Sequence, residues 1–310
     1  MTRQHRRLAW LALFAIYVVW GSTYLAIRVV VRSMPPFAAA GLRFAAAGSA
    51  MAAIAWLIER PRSLPTWRQW RDYGLVGVLL LVGANGLVMW AEKSVPSGIT
   101  ALVVATVPVW LTLLDGLRAG GQPWSARGWL GTLIGLAGVA LVVRPEAGAE
   151  SVSWPGILAL QCAALSWSLG SLYSQAISAR ISVLSAAAIE MLAGAFGLLL
   201  LSCITGESWS QLHQAPASAW IGLAYLVVFG SLVGFTAFAY ALAELPASVV
   251  GTYAYVNPVV AVVLGAVLLS ETVSTHLVFG AGLILAGVLL ATLAPRRPRE
   301  QPGSGREGAA

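Results

Sequence analysis

The sequence predicts an all-α integral membrane protein: ten transmembrane helices arranged as two inverted five-helix repeats. Three observations predict it. Of the 310 residues, 58% are hydrophobic and only 10% charged, where a soluble domain carries about a quarter charged residues. The apolar residues fall in continuous runs long enough to cross a bilayer, which takes ~20 residues as helix. Finally, VPSGITALVVATVPVWLTLLD (95–115) recurs as LPASVVGTYAYVNPVVAVVLG (245–265), so that Pro96 meets Pro246 and Pro108 meets Pro258 at a spacing of 150.

The first run, 8–31, follows MTRQHRR. It is too long for a signal-peptide core and lacks a small-residue cleavage site, so it reads as a retained helix. The other nine are 36–58, 72–91, 97–117, 126–143, 154–174, 182–204, 217–241, 248–269 and 274–293. They do not alternate in polarity and are too long for barrel strands. This divides the chain into an N-terminus (1–7), a first repeat (8–143), a linker (144–153), a second repeat (154–293) and a tail (294–310). The Pro/Gly/Arg-rich tail is expected to be disordered. Cys162 and Cys203 fall inside apolar runs and are expected as buried free thiols.

Charge sets the orientation. Fourteen arginines fall at the termini and in alternate loops: Arg3, Arg6 and Arg7; Arg60, Arg62, Arg68 and Arg71; Arg118, Arg127 and Arg180; Arg296, Arg297, Arg299 and Arg306. The other side has only Arg32, Lys93 and Arg144. The positive-inside rule puts the first set, and both termini, in the cytoplasm. The net charge of +7 follows from this bias and calls for no nucleic-acid partner.

The repeat extends beyond the prolines. Trp20 aligns with Trp167 and Arg43 with Glu190 at a spacing of 147, and GLAGVALV (135–142) aligns with ILAGVLLA (284–291) at 149. Because five spans is an odd number, the second copy enters the membrane from the opposite face. Such inverted halves can exchange conformations and give alternating access. Pro108 and Pro258 fall mid-helix, where each removes a backbone hydrogen bond; they read either as hinges or as structural kinks. Gly131, Gly135 and Gly138 in the fifth span, echoed by Gly280 and Gly287 in the tenth, read as helix-packing faces.

Four stretches carry a family resemblance: VVWGSTYLAIR (18–28), PPFAAAGLRF (35–44), NPVVAVVLGAVLLSE (257–271) and FGAGLILAGVLL (279–290). They resemble the EamA-type, ten-helix members of the drug/metabolite transporter superfamily, over essentially residues 8–293. Within it the chain is similar to YddG-like amino-acid exporters. The resemblance implies a two-repeat inner-membrane transporter with cytoplasmic termini, often exporting amino acids or other metabolites. The first repeat departs from the family pattern after Pro108, at LDG (114–116), and no role is assigned to the loop 114–122.

The residues agree in what they exclude. The single lysine, Lys93, has no glycine-rich loop before it, so there is no phosphate-binding loop. His5, His213 and His276 are scattered. No enzyme activity, cofactor, metal or obligate protein partner is expected; the partners are the lipid bilayer and a small molecule. Two charges lie at membrane depth, Arg43 and Glu190, and intramembrane charges are functional candidates. Arg43 reads as a substrate-carboxylate or repeat-locking group, or as a snorkelling one; Glu190 reads as a proton or amine site, or as a neutral hydrogen-bonded carboxyl. Trp20, Thr23, Tyr24, Asn85, Met89, Trp90, Thr106, Ser166, Trp167, Tyr253 and Asn257 read together as the lining of an aromatic cavity, although each singly could be packing. With so few charges, a neutral or zwitterionic cargo with an apolar part fits best. The resemblance points to amino acids, and the aromatics to large apolar ones. Export of other metabolites or drugs, and a passive channel, stay open.

Overall fold

The structure is a computed structural model that describes residues 3–59, 64–117, 126–142, 153–177, 181–245, 250 and 253–292. Among these there is helix and no strand. Ten helical spans follow one another. They are α1 (Arg3–Val31), α2 (Pro36–Glu59), α3 (Trp67–Gly77, Val78–Gly86 and Leu87–Ala91), α4 (Ser97–Val104 and Val107–Leu117) and α5 (Ala126–Val142). Then come α6 (Trp154–Ala176), α7 (Val183–Ile204), α8 (Ala217–Tyr225, Leu226–Val233 and Gly234–Glu244), α9 (Tyr253–Leu269) and α10 (Thr275–Thr292). Seven of the spans are long and apolar enough to cross a membrane unaided; the apolar helices of α5, α9 and α10 are shorter. The expected tail 294–310 and linker 144–152 lie outside the described residues, as do many arginines behind the orientation.

Local signals set the ends. Thr66 and Gln69 form a reciprocal capping box, which starts α3 five residues before the apolar run and carries Arg68, Arg71 and Asp72 into the helix. Ser153 caps α6, with Pro155 in its first turn, and Ser182 caps α7. Gly206, at φ +67°, ends α7: its N–H donates to Cys203 O and that of Glu207 to Ser202 O, a turn that glycine adopts without a Cβ clash. Ser270, at φ 56°, turns the chain after α9 in the same sense.

Three features were not expected from the runs. Val78–Gly86 and Leu226–Val233 are π-helical, and they occupy equivalent places in the third and eighth spans. The fourth span is broken at Ala105–Thr106, so Pro108 sits in the first turn of a new helix and not in the middle of a continuous one; Pro258 lies inside its helix as read. Both cysteines are free, but they are exposed on the outside of the bundle and not buried within it.

Packing pairs the spans in a regular way. Gly41 lies against Leu199 and Gly48 against Leu192, so α2 and α7 run antiparallel. A Cβ on Gly287 would come within 2.5 Å of Gly131 O and Gly135 N, and one on Gly138 within 2.7 Å of Ile284 N. The glycine faces of α5 and α10 therefore meet antiparallel with backbones nearly touching. The N-terminus of α4 meets the end of α9. Further, α1 packs against α8 and α3 against α6. One apolar core runs through most of these contacts, and a smaller one joins Leu13 and Ile16 to Ala241 and Val250.

Candidate functional site

Arg43, on α2, is 3% exposed. Its Nε donates to Ser231 Oγ at 3.0 Å, its guanidinium carbon lies 4.6 Å from the Phe44 ring centroid, and its buried Nη1 has no hydrogen-bond partner among the described residues. Ser231 belongs to the π-helical turn of α8. That turn can approach because Gly230 has no side chain: a Cβ there would sit 3.1 Å from Arg43 Nη2 and 3.0 Å from Thr23 Cγ2. A π turn shifts helix register locally and is frequent at functional sites.

The aromatic residues collect beside it. Trp20 Nε1 donates to Gly230 O at 3.2 Å, and its ring lies 5.2 Å from Tyr253, 5.3 Å from Phe238 and 5.9 Å from Phe235. Thr23 Oγ1 donates to Trp20 O. Asn257 is buried, with its amide nitrogen facing the carbonyls of Tyr253 and Tyr17, each at 3.2 Å. Ser22 and Tyr225 share a hydroxyl–hydroxyl bond of 2.6 Å. A fixed cation, two aromatic faces and several hydroxyls thus converge where α1, α2, α8 and α9 meet.

The other candidates divide. Ser166 Oγ donates to Leu79 O at 2.8 Å and Asn85 Nδ2 to Leu80 O at 3.1 Å; both serve carbonyls of the first π-helical turn. Tyr24 and Trp167 are half-buried against the main core, Met89 is wholly buried in it, and Trp90 is exposed. Thr106 Oγ1 donates to Val103 O and reaches Gln161 Oε1 at 3.4 Å, where Trp110 Nε1 also donates at 3.0 Å. A small apolar crevice beside them is lined from α4 and α5 by Thr106, Val109, Trp110, Leu113, Thr132 and Leu136. The eleven residues therefore form groups on several helices.

Glu190 is half-buried on α7, where Gly77 of α3 presses on its carbonyl. It does not meet Arg43. From the α2–α7 register, the two sit about seven residues apart along the pair, or ~10 Å, too far to grip one small zwitterion together.

Carboxylates at the helix ends went unread in the sequence. Glu271 accepts from Ser97 N (3.0 Å), Ser97 Oγ (2.9 Å) and Gly98 N (3.2 Å), so it caps α4. The same end of the bundle has Glu207 accepting from Phe37 N (3.0 Å) and Ala38 N (2.8 Å), capping α2. At the opposite end Glu59 accepts from the hydroxyls of Ser182 and Ser185, at the start of α7. There, too, Asp72 accepts from Arg71 and Tyr173. Anionic groups suit helix N-termini, where amide N–H groups lack partners. The one available signal was Gly206 just before Glu207, a residue that turns the chain back; Ser270, which does the same before Glu271, carries no such mark.

Comparison with known proteins agrees with this architecture. The EamA-like transporter family matches residues 7–144 and 154–293. The chain is 40% identical over 283 residues to the "Uncharacterized inner membrane transporter YedA" of Escherichia coli (strain K12), covering 91% of this chain and 90% of that one. It is 29% identical over 306 residues to a "Probable terminal-alkyne amino-acid exporter" of Streptantibioticus cattleyicolor, covering 94% and 97%. A solved crystal structure aligns with a TM-score of 0.64 over 92% of this chain and 96% of that one, at 24% identity, and so shares the fold. The chain belongs to the EamA-like transporter family: it is a multi-pass membrane transporter and not an enzyme.

Proposed function

We propose that this transporter exports amino acids, preferentially large apolar or aromatic ones, through a bacterial inner membrane by alternating access without ATP. The observation that carries this reading is the buried guanidinium of Arg43, whose Nη1 lacks an acceptor among the described residues beside the Trp20–Tyr253 aromatic pair. A guanidinium stays protonated in a protein, so an open donor at this depth suits an anion, and a substrate carboxylate is one. The aromatic faces take the apolar side chain.

Two inverted halves, 8–143 and 154–293, move around this point. The antiparallel packing of α2 on α7, of α4 on α9 and of α5 on α10 supports that reading, because each pair joins corresponding spans. So does the reciprocity of Glu59 and Glu207, each holding the start of the other half's corresponding helix. The arginine bias makes the end with Glu207 and Glu271 extracytoplasmic and the termini cytoplasmic. Pro108, beside the break in α4, and Pro258 supply the hinges. Glu190, on a different level from Arg43, is left for a proton or an amine at another step. The amino-acid exporter among the relatives supports the choice of cargo.

The test is counterflow in proteoliposomes loaded with labelled phenylalanine, methionine or threonine. Wild-type protein exchanges the first two faster than empty liposomes do, and Arg43→Gln loses about 10- to 100-fold, the worth of a charged hydrogen bond. Equal flux from loaded and empty liposomes refutes the cargo; full flux in Arg43→Gln refutes the site.

A further inference from the structure

Glu92 closes the third span at the same end as Glu271, and it is 0% exposed. Both of its carboxyl oxygens are buried without a hydrogen-bond partner among the described residues. Glu271 contrasts with it: three donors from Ser97 and Gly98 surround that carboxylate. Arg28, from α1, donates its Nη1 to the main-chain carbonyl of Glu92 and not to its carboxyl group. An ionised carboxylate with no donor and no water is several kcal/mol too costly to persist. Such a group takes a proton.

We propose that Glu92 is a proton-binding site in the closed extracytoplasmic end, taking up a proton when that end shuts and releasing it when that end opens. The step is carboxylate plus H⁺ giving carboxylic acid, with no other bond changed. A bulkier cation is disfavoured, because Glu92 is 0% exposed and leaves no room against it for even a water molecule. Arg43 differs in kind: a guanidinium cannot shed its charge and so waits for an anion, whereas a carboxyl group neutralises itself with the smallest ligand available.

Among the described residues, the charged and titratable groups facing Glu92 are Arg28 and Tyr24 from α1 and Glu271 from the end of α9. Burial, and then the charge of Glu271, hold the Glu92 carboxyl well above the usual carboxylate range, with Arg28 opposing. When the end opens, water restores an ordinary value. A group whose affinity for protons is raised in the closed form favours that form most below its ordinary pKa. The preference fades as pH rises through the raised value, so alkaline conditions outside favour opening.

This inference rests on the transporter reading, yet its first test needs no substrate. Infrared titration of the full-length protein in liposomes should show a protonated-carboxyl band persisting to neutral pH. Glu92→Gln should remove a component of it that Glu190→Gln leaves, and Glu92→Asp should keep that component at a displaced pH. A band unchanged in Glu92→Gln, or removed only in Glu190→Gln, overturns the proposal. In flux, Glu92→Gln should lose at least tenfold of the acceleration by a pH gradient; retained acceleration also overturns it. A Glu92-dependent band with no amino-acid flux rejects the cargo and leaves the proton site standing.

Discussion

Replacing Glu271 by Gln should unlatch one end of the transporter. The carboxylate accepts two backbone N–H groups and one hydroxyl at the first turn of α4, at 2.9 to 3.2 Å. The pocket that admits it exists because Gly265 has no side chain: a Cβ there would lie 2.5 Å from Glu271 Oε2 and 2.9 Å from Ser97 Oγ. A glutamine keeps one acceptor and turns an NH₂ toward donors. Charged hydrogen bonds are worth about 1.5–3 kcal/mol against 0.5–1.5 for neutral ones, and the helix terminus adds about 0.3–1 kcal/mol. The net loss is about 1.3–2.5 kcal/mol, which shifts a closed–open equilibrium by about 10- to 70-fold. Thr100 is a suitable reporter, one turn deeper and wholly buried, with an Oγ1 that bonds to nothing among the described residues. In a background with Cys162 and Cys203 changed to Ser, a membrane-impermeant maleimide should label Thr100→Cys slowly, and faster by up to that factor once Glu271→Gln is added. An unchanged labelling rate would refute the latch.

Other expectations follow from the packing. Gly287→Val must push the backbones of α5 and α10 apart and should lower stability by about 1–3 kcal/mol, read as thermal unfolding in detergent. Gly282→Ala, which meets nothing within 4 Å, should be neutral. Glu207→Ala leaves two amides at the start of α2 unpaired and should cost about 1–2 kcal/mol. Glu59→Ala should cost a similar amount at the start of α7, and the two losses should add, since they lie at opposite ends of the bundle.

The sequence made the membrane spans legible because lipid demands long unbroken apolar runs, and these announce themselves in composition. The glycine faces were legible for a related reason: Gly131, Gly135, Gly138, Gly280 and Gly287 stand out on otherwise bulky helices and do meet. Arg43 was legible as a rare charge at depth. Its partner Ser231 was not, because a serine inside an apolar run has no distinguishing neighbours. The π-helical turns were equally silent, since a uniformly apolar segment carries no period from which an extra residue could be read. The break before Pro108 escaped notice because a proline kinks a helix or starts one, and only the neighbours on α6 and α5 decide. The carboxylate caps depend on loop turns that bring Glu207 and Glu271 back to helices well over a hundred residues away. Glu92, next to Lys93 in a short polar turn, looks like an exposed loop residue, yet the fold buries it wholly, with Arg28 on its carbonyl.

The most direct test of the rocking halves measures both ends at once. Spin labels at Lys93 and Val273 report the end proposed as extracytoplasmic, and labels at Leu117 and Leu245 the end proposed as cytoplasmic. Pulsed electron-spin distances, with and without phenylalanine across a pH gradient, should shift in opposite senses, one pair separating as the other draws together. Distances that change in the same sense at both ends, or at neither, would contradict the account.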